Sequence, residues 1–261
     1  MIWKTRLRSK LDNLMAVTAG LGPSVMLLHG VGLNADSWGG QIDTLANYFS
    51  VTALDMPGHG ESPGLNLAKP DLSDYVAAMR YHLKSPTVIV GHSMGAMIGL
   101  KLAFDKKVLG VVSLNAVYKR SQSACDAVKK RAQELQITSI VDPKPTLERW
   151  FDDQTSVEAL MCHKWLSDVS IDEYRAAYAV FSQENGPSAQ ELSELKKPAL
   201  FMTGDREPNS TPNMSMQMAE LCEFGDAIIL EDAAHMMPMT HCEIVNKHLI
   251  DFISRCHMEM I

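Results

Sequence analysis

Thr87-Val88-Ile89-Val90-Gly91-His92-Ser93-Met94-Gly95-Ala96-Met97-Ile98-Gly99-Leu100 decides the fold. A β-branched run, Val88 to Val90, meets Gly-x-Ser-x-Gly and then an apolar segment of helical length. This is the order strand, sharp turn, helix. A serine on so sharp a turn takes a strained backbone conformation, and side chains two residues to either side collide with strand or helix. Gly91 and Gly95 occupy those two places. The turn lifts the Ser93 hydroxyl clear of the backbone, and the amides at the start of the next helix face any negative charge that develops beside it.

Working outward, Ser24 to Leu28 is a continuous apolar run, the pattern of a strand buried on both faces of a parallel sheet. It runs into His29-Gly30-Val31-Gly32-Leu33, a loop whose glycines let a backbone N–H approach a substrate oxygen. His29 is expected to hold that loop. Ser37 to Asn47 reads as a helix with Trp38, Ile42 and Leu45 inward, and Leu72 to Leu83 as another with Leu72, Val76, Met79 and Leu83 on one face. Val51 to Asp55 is a strand, with Asp55 expected to brace the glycine-punctuated turn Met56 to Ser62. Residues 1–22 show weak alternation and are expected to form one or two edge strands or irregular structure. Val108 to Leu114 is a further buried strand, and the alternation to this point argues a doubly wound sheet.

After Leu114 the rhythm changes. Residues 116–193 contain amphipathic segments at Ser123–Leu135, Thr146–Phe151, Ser156–Leu166 and Ile171–Phe181 and no convincing strand, which reads as a helical cap inserted into a core of residues 1–115 and 194–261. Strands return at Pro198 to Thr203 and Asp226 to Leu230, each followed by groups capable of chemistry: Asp205 and Glu207 after the first, His235 after the second. Ser215 to Cys222 and Glu243 to Cys256 complete the helices. A serine hydroxyl becomes a useful nucleophile when a histidine takes its proton, and that imidazole needs a carboxylate to fix its tautomer. Nine histidines occur, but His235 alone lies just after the last strand; His92, beside the serine, is expected to point away from the reaction centre.

Bulk properties narrow the classes. With 261 residues, 46% hydrophobic and 21% charged, the chain has room for a substantial core and the composition of a soluble globular protein. A net charge of −7 argues against nucleic acid or an anionic membrane as partner. No apolar run reaches the ~20 residues of a membrane helix, and the basic N-terminus lacks the apolar segment of a signal peptide, so a cytoplasmic location is expected. The five cysteines are scattered, as expected of free thiols. No motif calls for a metal or an organic cofactor. The seventeen methionines read as soft core filler.

Four separated motifs, His29-Gly30-Val31-Gly32, Asp55 to Ser62, Gly91 to Gly95, and Gly204 to Pro212 with Ala234-His235, resemble the α/β-hydrolase superfamily in their order along the chain. Within it, Glu148-Arg149-Trp150-Phe151 and Val169 to Ala177 resemble the 3-oxoadipate enol-lactonase branch. The resemblance implies an α/β-hydrolase fold with an inserted cap, a Ser93–His235–acid triad, and oxyanion donors at the amides of Val31 and Met94. It also implies Trp150 and Gly32 as substrate contacts. Relatives place an aspartate three residues after the glycine of the acid turn; here that position is Glu207, preferred on register to Asp205. The expected function is hydrolysis of a small ester or lactone through an acyl-enzyme, without a cofactor. The rivals are hydrolysis of a C–C bond in a β-diketone-like acid, and ligand binding on a hydrolase scaffold. Lys119, Arg120, Arg131 and Arg149 are concentrated in the cap of an acidic chain, and any of them facing the cleft favours a substrate with a carboxylate.

Overall fold

The apolar runs pair into one eight-stranded sheet in the computed structural model, which describes residues 3–258. Strands β1 (Ser9–Leu11), β2 (Leu14–Ala19), β3 (Ser24–Leu28), β4 (Ser50–Leu54), β5 (Thr87–His92), β6 (Val108–Leu114), β7 (Ala199–Gly204) and β8 (Gly225–Leu230) lie in the order β1-β2-β4-β3-β5-β6-β7-β8. β2 runs antiparallel to both of its neighbours, and all pairs from β4 to β8 are parallel. The central strands are apolar at successive positions because both faces are covered. Val25, Leu27, Val88, Val90 and Val112 pack into one cluster with Trp38, Leu45 and Phe252. Met26, Leu28, Ile89 and Val111 pack into the other.

A 3-10 turn (Ala35–Trp38) leads into α1 (Gly39–Leu45); α2 (Leu72–Arg80) and α3 (Met94–Leu102) complete the first half. Five helices separate β6 from β7: α4 (Gln122–Leu135), α5 (Lys144–Trp150), α6 (Val157–Asp168), α7 (Ile171–Gln183) and α8 (Ala189–Glu194). The last three are α9 (Pro212–Leu221), α10 (Met237–Thr240) and α11 (Cys242–Met258). Side-chain caps start several of them: Ser121 accepts the Ala124 N–H and Ser156 that of Ala159, while Asp71 with Asp74 and Ser188 with Glu191 form capping boxes. The inward residues Trp165, Leu166, Tyr174 and Ala177 join the cluster that holds Val31, Leu33 and Met94. The helices between β6 and β7 therefore pack onto the loops at the sheet edge. Among the described residues no helix is long and apolar enough to cross a membrane.

From β3 the chain moves to β4 on one side and then crosses to β5 on the other, so the winding reverses between β3 and β5. Ligand crevices open outside the carboxyl ends of strands at such a reversal. The register pairs Leu28 with Gly91 and Gly91 with Ser113, which brings the ends of β3, β5 and β6 level there. Two buried groups brace the surrounding loops. Asp55 Oδ1 accepts the Ala35 N–H at 2.7 Å and Oδ2 the Glu61 N–H at 3.0 Å, with the Arg8 guanidinium 3.1 Å away. His29 Nε2 accepts the Met56 N–H at 3.0 Å.

Candidate active site

Ser93 sits between β5 and α3 with φ 56° and ψ −115°, in the left-handed region that non-glycine residues rarely occupy. Such a conformation costs about 1–3 kcal/mol and persists when its surroundings enforce it. A Cβ at Gly91 would lie 2.2 Å from the Gly95 carbonyl oxygen, and one at Gly95 would lie 2.1 Å from that of Leu28. Both glycines are therefore steric requirements of the turn. The Ser93 N–H is anchored on the Leu114 carbonyl at 2.9 Å.

His235 follows β8 and lies beside the serine in the same cavity. Its Nδ1 is 2.8 Å from Glu207 Oε2, so Nδ1 carries the proton donated to the carboxylate and Nε2 remains the basic nitrogen. Glu207 is 2% exposed, whereas Asp205 is exposed on the surface. The other Glu207 oxygen accepts the N–H groups of Asn209 at 2.7 Å and Ser210 at 3.2 Å. Burial works against the charged carboxylate. The His235 ring and these hydrogen bonds outweigh it, holding Glu207 below its usual range.

His92 departs from expectation. It points toward His235, the ring centroids 4.9 Å apart, and its Nε2 donates to the His235 carbonyl at 2.9 Å. Burial, reinforced by the neighbouring His235, pushes its pKa down to about 3, so it is a neutral donor. The contacts that hold it there are the His235 carbonyl and an edge-on packing against Trp38, 6.4 Å between ring centroids.

Above this floor, the cavity of about 220 Å³ is closed by Trp150, Tyr174, Tyr178 and Phe181 and by Arg120, Arg131 and Arg149. Trp150 stacks on His235 at 5.2 Å with planes 22° apart. Val31 lines the cavity, and Met94 is the first residue of α3. Among the described residues neither of their N–H groups donates to a protein acceptor, as an oxyanion site requires. Gly32 is not among the cavity-lining residues, which corrects its expected place. It has φ 78°, and a Cβ there would lie 2.5 Å from Leu166 and 2.7 Å from Tyr174, so its hydrogen is what lets α6 and α7 approach the loop. Asn209, Tyr178 and Phe181 were not singled out as site residues. An aromatic repeat in α7 is the sequence signal of Tyr178 and Phe181, although it reads equally as a core stripe; Asn209, in the loop after β7, has none.

Of the arginines, Arg120 is buried, with Nη1 on the carbonyls of Phe181 and Glu184 and its ring-like plane 4.5 Å from the Phe181 centroid. Arg120 Nη2 and Arg131 Nε are buried without a hydrogen-bond partner among the described residues. Arg149 donates to Pro145 O at 2.6 Å and Thr146 Oγ1 at 3.3 Å.

The sequence model of the Alpha/beta hydrolase family matches residues 25–247. The chain belongs to that family. Over 237 residues this hydrolase is 37% identical to "(E)-2-((N-methylformamido)methylene)succinate hydrolase" of Acinetobacter baylyi, covering 87% of this chain and 89% of that one. The hydrolase fold is shared with the enol-lactonase of Burkholderia xenovorans (TM-score 0.81, 19% identity, 95% of this chain and 100% of that one). It is shared as well with "E-2-(Acetamidomethylene)succinate Hydrolase" (TM-score 0.78, 19% identity, 95% and 99%).

Proposed function

We propose that this hydrolase cleaves a small, carboxylate-bearing ester or lactone through an acyl-enzyme on Ser93. His235 Nε2 takes the serine proton as Oγ attacks the carbonyl, and Glu207 holds the imidazolium that results. The Val31 and Met94 amides receive the oxyanion. His235 then protonates the leaving oxygen and activates the water that releases the acid.

One observation supports the anionic substrate above the rest. Three arginines that form no salt bridge among the described residues line the same 220 Å³ cavity as Ser93 and His235, with Glu184 a carboxylate in electrostatic reach of Arg120. Guanidinium groups stay protonated throughout the working pH range and match carboxylates in shape. The volume suits a compact molecule rather than a long acyl chain. A second reading rests on the Acinetobacter relative, whose name specifies a succinate carrying an N-acylaminomethylene group. A substrate of that kind carries two carboxylates, and hydrolysis begins at the same serine.

The deciding experiment compares kcat/KM for three matched sets: anionic esters and lactones with their neutral analogues, N-acylaminomethylene succinates, and β-diketone acids. Each is measured with the unmodified chain and with Ser93→Ala. Preference for the anionic member, abolished by Ser93→Ala, is the expected result. A neutral long-chain ester as best substrate removes the carboxylate reading; turnover that survives Ser93→Ala removes the serine mechanism.

A further inference from the structure

His235 is gripped at two places. Glu207 orients its ring, while its backbone carbonyl receives two side-chain donors, Asn115 Nδ2 at 2.7 Å and His92 Nε2 at 2.9 Å. Asn115 is 1% exposed and follows β6 directly. Its Oδ1 lies 2.8 Å from Thr203 Oγ1, whose single proton is shared between it and the Ser210 carbonyl 2.7 Å away. The Ser210 N–H in turn donates to Glu207 Oε1. Asn115 itself donates its backbone N–H to Met202 O at 2.9 Å, and its neighbour Leu114 supplies the carbonyl that anchors the Ser93 N–H. A single buried side chain thus joins the histidine loop to the acid loop, next to the peptide that fixes the serine.

The residue type suits the place. Asn115 has φ 52°, where asparagine is among the few non-glycine residues found readily. The position also needs both a donor, for the His235 carbonyl, and an acceptor, for Thr203. An amide provides the two on one planar group, whereas an ionised carboxylate would face the His235 carbonyl with no proton to offer.

We propose that Asn115 is a positioning residue for catalysis, fixing the His235 and Glu207 loops against each other and against Ser93, with Thr203 carrying the hold to the acid loop. The proposal rests on the Ser93 reaction described above. It also assigns to the end of β6 a role that neither triad chemistry nor cavity lining requires.

The test uses Asn115→Gly, which keeps the left-handed backbone without strain and deletes both side-chain bonds, and Thr203→Val, which leaves Asn115 and its bond to His235 in place. Steady-state hydrolysis of p-nitrophenyl acetate is followed alongside the thermal midpoint. Asn115→Gly is expected to lower kcat by about 10- to 100-fold, the scale of an ångström-level misplacement, with KM changed by no more than about twofold. Thr203→Val lowers kcat less, in the same direction. In a Glu207→Gln background Asn115→Gly should cost no more than about twofold further, because the pair it positions is already broken. Near-normal kcat in Asn115→Gly, or a loss that multiplies in full with Glu207→Gln, overturns the proposal. Should Asn115→Gly lose its cooperative unfolding transition, Thr203→Val decides by the same criteria. Ser93→Ala stands apart: activity surviving in it sinks the underlying mechanism, while its loss together with a normal Asn115→Gly sinks the positioning role alone.

Discussion

The edge of the sheet and the helices above it contribute to one cavity by opposite means. At the edge, each group is held at more than one point: Ser93 by two glycines and the Leu114 carbonyl, Glu207 by two backbone amides, His235 by the Glu207 carboxylate on its ring and the Asn115 and His92 side chains on its carbonyl. In the helices, long side chains reach down from α4, α5 and the segment before α4, and two guanidinium nitrogens have no hydrogen-bond partner among the described residues. The edge side chains are held in place without a ligand, with the Val31 and Met94 amides left open; the roof leaves guanidinium nitrogens open. Geometry for bond-making belongs on the rigid element, where small displacements are costly. In the proposed function, recognition falls to the groups whose hydrogen bonds are left for a substrate to satisfy.

Substitutions on the two sides should therefore fail differently. Glu207→Gln is expected to lower kcat by roughly 10³ to 10⁴ with KM little changed, as when a triad carboxylate becomes an amide, while exposed Asp205→Asn stays mild. The reverse order would move the acid to the surface residue and break the contrast. On the roof, Arg131→Gln should reduce kcat/KM for an anionic substrate by about 10- to 100-fold, the equivalent of a charge-assisted hydrogen bond of about 1.5–3 kcal/mol. A neutral analogue should be unaffected, and equal losses for both would show Arg131 to be structural.

Acidification separates the two sides by stability. His29 and His92 are kept neutral down to about 3, chiefly by burial and then by the neighbouring His59 and His235 respectively. In the unfolded chain they protonate near 6.5, so their neutral burial is harmless above that pH and increasingly destabilising below it. Each should remove about 1 kcal/mol of stability between pH 6.5 and 5.5, which a series of thermal midpoints would detect. A midpoint that holds or rises over that range contradicts the buried neutral pair. Smallest of all, Trp150→Ala should weaken kcat/KM by about 2- to 10-fold for charged and neutral substrates alike, since it loses an aromatic stack worth about 0.5–1.5 kcal/mol. Discrimination between substrates would make Trp150 a recognition residue instead.

The legible parts of the chain were those where local sterics decide. Gly91 and Gly95 announce the turn because no other residue fits within 2.2 Å of a carbonyl oxygen. The buried strands are continuous apolar runs, and His235 was found by its place after the last of them. Register separates Glu207 from Asp205, and the structure buries the first, 2.8 Å from His235 Nδ1, and exposes the second. Directions set by tertiary packing were not legible. His92 turned toward His235 rather than away, and Gly32 proved to be a contact between loop and helices rather than part of the cavity. α8 and α10, with six and four residues, are too short for a helical period to register. The cap's cations were visible as a group, but periodicity gives the face of a helix and not what lies opposite. The polar chain through Asn115 and Thr203 joins residues 88 positions apart, and only the register of β6 with β7 makes them neighbours.

The stack of Trp150 on His235 also places a fluorophore against the ring that charges in the proposed mechanism. An indole emits strongly beside a neutral imidazole and is quenched by a protonated one. At 5.2 Å, with the planes nearly parallel, Trp150 emission should respond to a change in the charge of the His235 ring. Subtracting the signal of a Trp150→Phe variant isolates that indole from the other three tryptophans. A difference signal that is flat across the activity profile would mean that the ring does not sense the imidazole. One that tracks the profile would let the protonation of the base be followed in real time, without a chromogenic substrate.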